Sequence, residues 1–195
     1  MEIVRDNILD MIDVSGEESV RQYLSTFSCP LNQEIENFIR NKAIDFARRK
    51  LAITYVISDV VDGAGDVLGY FALTHKAIDV NGDNFSKTDK RKLERYARYD
   101  QDRGTYTVSA FLLAQFGKNY GVDGGARIRG EELMEYVDDV LADIQRRIGG
   151  GVVYLDCEDE PRLVAFYEDK SRYKPFSVRH SSEDGIKYLQ YMKFF

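Results

Sequence analysis

The chain is poor in the residues that most often build metal centres and covalent frameworks: two cysteines and two histidines in 195 residues. Cys29 and Cys157 stand in unrelated contexts, with no Cys-x-x-Cys and no histidine pair nearby. That argues against a disulfide framework and a zinc cluster, and both read as reduced, buried thiols. No cluster has ligand spacing, so no metal requirement is expected. Long apolar runs are missing too. Nothing approaches 18 residues, and Met1 to Asp10 alternates charges where a signal peptide would have an apolar core. The expectation is a cytoplasmic protein with no membrane partner. Positive charge is also in deficit, 27 Lys and Arg against 33 Asp and Glu, for a net charge of −6. This disfavours a whole surface that grips nucleic acid and leaves room for a local basic patch. What the chain has is 44% hydrophobic residues, enough to bury a sizeable core as a single domain, 1–195.

Thr105 to Leu133 organises the rest. Tyr106, Val108, Ala110, Leu112, Ala114 and Phe116 alternate with Thr107, Ser109, Phe111, Leu113 and Gln115, the period of a strand, here read as largely buried on both faces. A glycine-bearing turn, Gly117 to Gly125, leads to Gly130. After it Leu133, Val137, Leu141, Ile144 and Ile148 recur at helical spacing. The first turn of a helix leaves N–H groups without partners, and with the helix dipole they suit a phosphate. The same order of elements also serves many proteins simply to turn a corner.

Within it, RIRGEE, Arg127 to Glu132, resembles the acyl-CoA pyrophosphate loop of the GNAT superfamily of N-acyltransferases, Gln/Arg-x-x-Gly-x-Gly/Ala. Arg127 stands at the first position and Gly130 at the first glycine; Glu132 replaces the closing Gly/Ala. Leu112 to Asn119 is similar to the strand end that precedes this loop, and Val152 to Asp169 to the following strand and the helix that carries Phe-Tyr-Glu. The resemblance covers about half of the chain. It implies an α/β fold with a mixed, mostly antiparallel sheet, a central splayed parallel strand pair and flanking helices. It further implies acetyl-CoA as acyl donor, pantetheine held by the backbone of Gln115, Phe116 and Gly117, and pyrophosphate held by Arg127, Ile128, Arg129, Gly130, Glu131 and Glu132.

In chain order, Glu2 to Arg5 reads as a strand, and Ser15 with Glu18 as a capping box opening a helix to about Phe27. A second helix follows Pro30, with a stripe of Ile35, Phe38, Ile39, Ala43 and Phe46. Leu51–Asp59 and Val67–Val80 are strands joined across Asp62-Gly63-Ala64-Gly65-Asp66. His75 lies on the second of them, either as a base facing a cleft or as a half-exposed strand residue. Asn81 to Arg103 holds Lys87, Lys90, Arg91, Lys92, Arg95, Arg98 and Arg103 against five carboxylates. It reads as a basic insertion, 81–103, made of a loop and a short helix, either solvated or a contact for an acceptor or partner. Gly149 to Gly151 ends the helix that follows, Val152–Cys157 is a parallel strand, Asp159 caps a helix with Pro161 in its first turn, and Phe176–His180 with Ile186–Phe195 close a hairpin around Glu183-Asp184-Gly185.

Acyl transfer from a thioester to an amine needs a neutral amine, a polarised carbonyl and a protonated leaving thiolate. Tyr167 stands where the superfamily commonly has the tyrosine that protonates the thiolate, and it also reads as a core aromatic at helical spacing. Glu158 is the first candidate for the base, with His75 or a water as alternatives. The expected function is acetyl transfer to a primary amine of an acceptor that is a small molecule, a protein or an aminoacyl-tRNA. The alternatives are a toxin-type aminoacyl-tRNA acetyltransferase and a non-catalytic module binding acyl-CoA or a partner; a homodimer is compatible with each.

Overall fold

The computed structural model describes residues 2–61, 64–181 and 185–195, and of residues 61 and 64 the backbone alone. The turns expected at Asp62-Gly63-Ala64-Gly65-Asp66 and Glu183-Asp184-Gly185 lie partly outside the described residues. In chain order the elements are β1 (Glu2–Asn7), α1 (Ile8–Ser15), α2 (Glu17–Leu24), α3 (Gln33–Asn37), α4 (Ala43–Arg48), β2 (Ile53–Val61), β3 (Ala64–Asn81), α5 (Lys87–Leu93), β4 (Ala97–Asp100), β5 (Thr105–Lys118), α6 (Gly130–Ile148), β6 (Val152–Glu158), α7 (Pro161–Ala165), β7 (Lys174–His180) and β8 (Lys187–Phe194). The strand order is β1-β2-β3-β5-β6-β8-β7, with β4 also on β5. Pairing is antiparallel for β1–β2, β2–β3, β4–β5, β6–β8 and β7–β8, and parallel for β5–β6. The parallel register is confined to Phe111↔Val153 and Leu112↔Tyr154, so β5, α6 and β6 form the βαβ unit that the sequence suggests.

The chain divides into two compact units, one running to Thr74 with Leu113–Val137, the other His75–Leu112 with Asp138–Phe195. In the first, α1 to α4 cover β1, β2 and the adjoining parts of β3 and β5. Ile8, Leu24, Phe27, Ile39, Ala43, Val56, Val67 and Tyr70 form its core, each large apolar side chain contributing about 1.5–3 kcal/mol by leaving water. The Tyr70 ring meets Phe27 edge-on at 5.2 Å and stacks on Phe38 at 6.1 Å. In the second unit Val80, Leu93, Tyr106, Val108, Ala110, Val152, Tyr154, Phe176 and Met192 pack together.

Several local readings change. The capping box at Ser15 does not form: Ser15 is the last residue of α1, which Asn7 caps by accepting the Leu9 N–H at 2.9 Å. Gly16, at φ 79°, ends α1 and begins α2, a left-handed backbone that glycine adopts without strain. The helix after Pro30 runs on from α3 to α4 through a π-helical turn at Phe38–Lys42. Segment 81–103 is more than a loop and helix, because β4 joins the sheet beside β5. Nor is β5 buried on both faces throughout, since Thr107 and Ser109 are exposed while Tyr106, Val108 and Ala110 are buried. Glu160, not Asp159, caps α7, accepting the Leu163 N–H at 3.2 Å; Asp159 pairs with Lys187 Nζ at 2.6 Å.

Candidate functional site

The residues assigned to acyl-CoA from the sequence fall in two groups. In the first unit, Gln115, Phe116 and Gly117 are the last residues of β5 before Lys118, and Arg127 to Glu132 lead into α6. Tyr70 donates to Ile35 O at 2.7 Å and reaches Gln115 Oε1 at 3.4 Å, while Gln115 Nε2 lies 3.4 Å from Glu34 Oε1. A Cβ on Gly117 would overlap Ile35 Cγ2, so that glycine is fixed by packing as well as by any approach of a ligand. Asn119 is buried and hydrogen-bonded at both ends of its amide. Its Nδ2 donates to Val67 O at 2.7 Å, and its Oδ1 accepts the N–H groups of Ser28 and Gly121 at 2.8 and 2.9 Å. The start of the loop is thereby tied to β3 and to the segment before α3.

Arg127 is held by three carboxylates: Nη1 bonds Asp59 at 2.7 Å and Asp66 at 2.9 Å, and Nε bonds Asp123 at 2.7 Å. Burial pushes the Asp59 carboxyl up, but the Asp66 N–H and the Arg127 guanidinium outweigh it and hold the group below the usual range. Ile128 is buried. Arg129 gives its backbone N–H to Glu132 Oε2 at 2.7 Å, and its guanidinium reaches the same carboxylate at 3.1 Å. Glu132 thus serves as the returning half of a capping box at the start of α6, and the Arg129 N–H holds its carboxyl below the ordinary value. Gly130 opens a 19-residue helix whose first turn carries Glu131 and Glu132. The side-chain charge here is negative, five carboxylates against two engaged guanidiniums. A phosphate would be met by the N–H groups of the helix's first turn.

In the second unit Tyr167 lies on the π-helical turn Phe166–Lys170 that continues α7. Its ring is buried against Phe166, Tyr173 and Tyr191. Burial, with the Cys157 thiol nearby, raises its phenol well above the ordinary tyrosine value. Cys157 is itself pushed up to about 12, first by burial and then by Asp159, Glu158, Asp156 and Glu160. Glu158 ends β6 with an exposed side chain, and its carbonyl accepts the Glu160 N–H at 2.8 Å. His75 is exposed on β3, with Nε2 hydrogen-bonded to Ser109 Oγ at 2.9 Å. Among the described residues no group of three or more His, Cys, Asp or Glu is placed to hold a metal ion, and no helix is long and apolar enough to cross a membrane. Sequence reasoning missed Asp59, Asp66 and Asp123 as the partners of Arg127. The signals were the four-residue spacing of Asp123 and Arg127 and the density of aspartates from Asp59 to Asp66.

Three solved structures are informative. AtaT complexed with acetyl-methionyl-tRNAfMet matches at a TM-score of 0.64 and 14% identity, over 96% of this chain and 94% of the other. A KacT Tyr-to-Phe mutant matches at 0.64 and 15%, over 96% and 94%. AtaTR bound with AcCoA matches at 0.59 and 13%, over 97% and 93%. AtaT and KacT have the GNAT fold. The chain has the GNAT fold. No protein-family model matches the sequence, and no curated protein matches it at a significant level. At 13–15% identity the likeness to these GNAT structures is one of fold, and activity has to be argued from the residues.

Proposed function

We propose that this chain is an N-acetyltransferase that moves the acetyl group of acetyl-CoA to a primary amine. The observation that carries the reading is the GNAT fold over 96% of the chain together with a strand, a glycine loop and a 19-residue helix opened by Gly130. AtaTR, of the same fold, is solved with AcCoA. In this reading the backbone of Gln115, Phe116 and Gly117 holds pantetheine. The N–H groups opening α6, within Arg127, Ile128, Arg129, Gly130, Glu131 and Glu132, hold the pyrophosphate. Tyr167 supplies a neutral phenol to the departing thiolate, since burial keeps it protonated at any pH at which the amine is attacked. Glu158 takes the proton of the amine, with His75 or a water as alternatives. Release of free thiol from acetyl-CoA in the presence of a panel of amines tests the reading. A protein that neither gains thermal stability from acetyl-CoA nor releases thiol would sink it.

The acceptor amine is best sought on aminoacyl-tRNA. Residues 87–103 carry seven Lys and Arg against four Asp and Glu, a net +3 in a chain of −6, and AtaT is solved with acetyl-methionyl-tRNAfMet. A non-catalytic acyl-CoA-binding module is the competing reading, favoured by the engagement of Arg127 and by Glu132. Binding of acetyl-CoA without thiol release under any amine would decide for it.

A further inference from the structure

Around the end of β5 the acids of the first unit are taken up, with one exception. Asp59, Asp66 and Asp123 hold Arg127. Glu36 of α3 pairs with Arg40 at 2.8 Å and accepts the Cys29 N–H at 2.7 Å. Glu34, one turn earlier on the same helix, is exposed and makes no ion pair among the described residues. Its carboxylate meets the Gln115 amide, with Nε2 3.4 Å from Oε1, a long bond to a neutral donor. A carboxylate has about four acceptor sites, so one long amide bond leaves most of that capacity open. In the acetyl-transfer reading the backbone of Gln115 holds pantetheine, which puts this unneutralised charge beside the strand of the acyl donor.

The short helix that carries Glu34 is fixed in place. Asn32 caps it by accepting the N–H groups of Glu34 and Ile35 at 2.9 and 3.2 Å. The carbonyl of Ile35 accepts the Tyr70 phenol at 2.7 Å, and its side chain fills the space that a Cβ on Gly117 would need. Arg40 Nε donates to Phe27 O at 2.7 Å, which ties the turn before α3 to the helix that follows. The other titratable groups here are neutral or paired. Burial raises the Tyr70 phenol and the Cys29 thiol, and Glu36 has Arg40. A single negative charge is left, and its sign excludes an anionic ligand. A primary ammonium has three N–H donors, enough to reach the Glu34 carboxylate in a charge-assisted bond and the Gln115 amide oxygen as well.

We propose that Glu34 receives the acceptor as its ammonium, with the Gln115 amide as second contact, and so restricts the reaction to cationic primary amines. The proposal deepens the acetyl-transfer reading and rests on it for the place of Gln115 beside the acyl donor. Glu34 binds and orients; the proton that the amine loses before attack goes to the base named above.

The test uses leucinamide, an aminoacyl group without its tRNA, and 4-methylpentanamide, the same molecule without the amine. Calorimetry on the full chain should show binding of leucinamide and not of the neutral amide. Affinity should fall between about pH 7 and 9 as the α-ammonium loses its proton. Glu34→Gln should weaken leucinamide about tenfold, the range of a hydrogen bond to a charged group, and abolish the pH dependence. In thiol release it should raise KM for leucinamide by a similar factor and lower kcat far less. The melting temperature should stay close to the parent's, because Asn32 supplies the cap. Adding Gln33→Glu to Glu34→Gln restores the net charge one residue away and should not restore binding. No binding of leucinamide by the parent, equal binding of the two amides, an unchanged Glu34→Gln, rescue by Gln33→Glu, or a fall in kcat with KM unchanged would each overturn the proposal. Calorimetry needs no turnover and stabilisation by acetyl-CoA is read separately, so failure here and failure of the acetyl-transfer reading are distinguishable.

Discussion

Arg127 reaches Asp59 with Nη1 to Oδ2 at 2.7 Å, an arginine of the loop before α6 bound to a buried carboxylate of β2. Asp59 is 3% exposed, and a buried carboxylate that loses its cation is left with an uncompensated charge. The guanidinium that the sequence offers to a phosphate is therefore used to hold the loop on the β2–β3 hairpin.

The first prediction is the pH dependence of that bond. The Asp59 carboxyl is lowered in the folded protein, so its contribution is present above the unfolded value of about 3.9 and is lost as pH falls through the lower folded value. Arg127→Gln should melt several degrees below the parent at pH 6–8, and the gap should narrow below about pH 4. Thermal melts from pH 3 to 8 measure it. A gap unchanged at pH 3 would mean that Asp59 is not the group responsible.

A second prediction separates the two roles of Glu132. As a cap it accepts the Arg129 N–H at 2.7 Å, and glutamine can do the same. As a charge it repels a pyrophosphate. Glu132→Gln should keep the melting temperature close to the parent's and tighten acetyl-CoA binding, whereas Glu132→Ala should lower the melting temperature. Equal affinity for acetyl-CoA in the parent and Glu132→Gln, read by calorimetry, would show that no phosphate comes near this carboxylate.

The strand, loop and helix from Thr105 to Ile148 were legible in the sequence because the hydrophobic period switches from two to 3.6 across a run of glycines. The remote partners of Arg127 were not, since Asp59 and Asp66 lie 68 and 61 residues away and no local pattern reports such a bond. Strand β4 was hidden for another reason. Its four residues, Ala97 to Asp100, carry Arg98 and Tyr99 outward, so the segment looks like solvated chain although its backbone pairs with β5. At Gly16 the backbone conformation decided the boundary over a side-chain signature at Ser15. Tyr167 could be placed on a helix from its spacing, but its packing on Tyr173 and Tyr191 depends on β8 and on the segment before β7, which periodicity does not join.

A third prediction concerns the thiols. Cys29 and Cys157 are both free and buried, and burial raises both, Cys157 to about 12. The thiolate is the reactive form, so native protein at pH 8 should react with Ellman's reagent only slowly at either position. Unfolding in guanidinium should release two thiols at once. Rapid release of one thiol from the native protein would contradict the packing around β6 or around Cys29.

The last prediction is on the phenol. Tyr167→Phe keeps the ring against Tyr173 and Tyr191 and removes only the proton, so it should lower turnover about 10²- to 10⁴-fold, the range of a general acid. Acetyl-CoA binding and melting temperature should change little. Because the phenol is raised above the ordinary tyrosine value, it stays protonated through pH 10, and the parent's rate should rise as the amine loses its proton without falling again below pH 10. A variant with undiminished turnover, or a parent whose rate collapses between pH 8 and 9, would assign proton donation to another group and leave Tyr167 as a residue of the core.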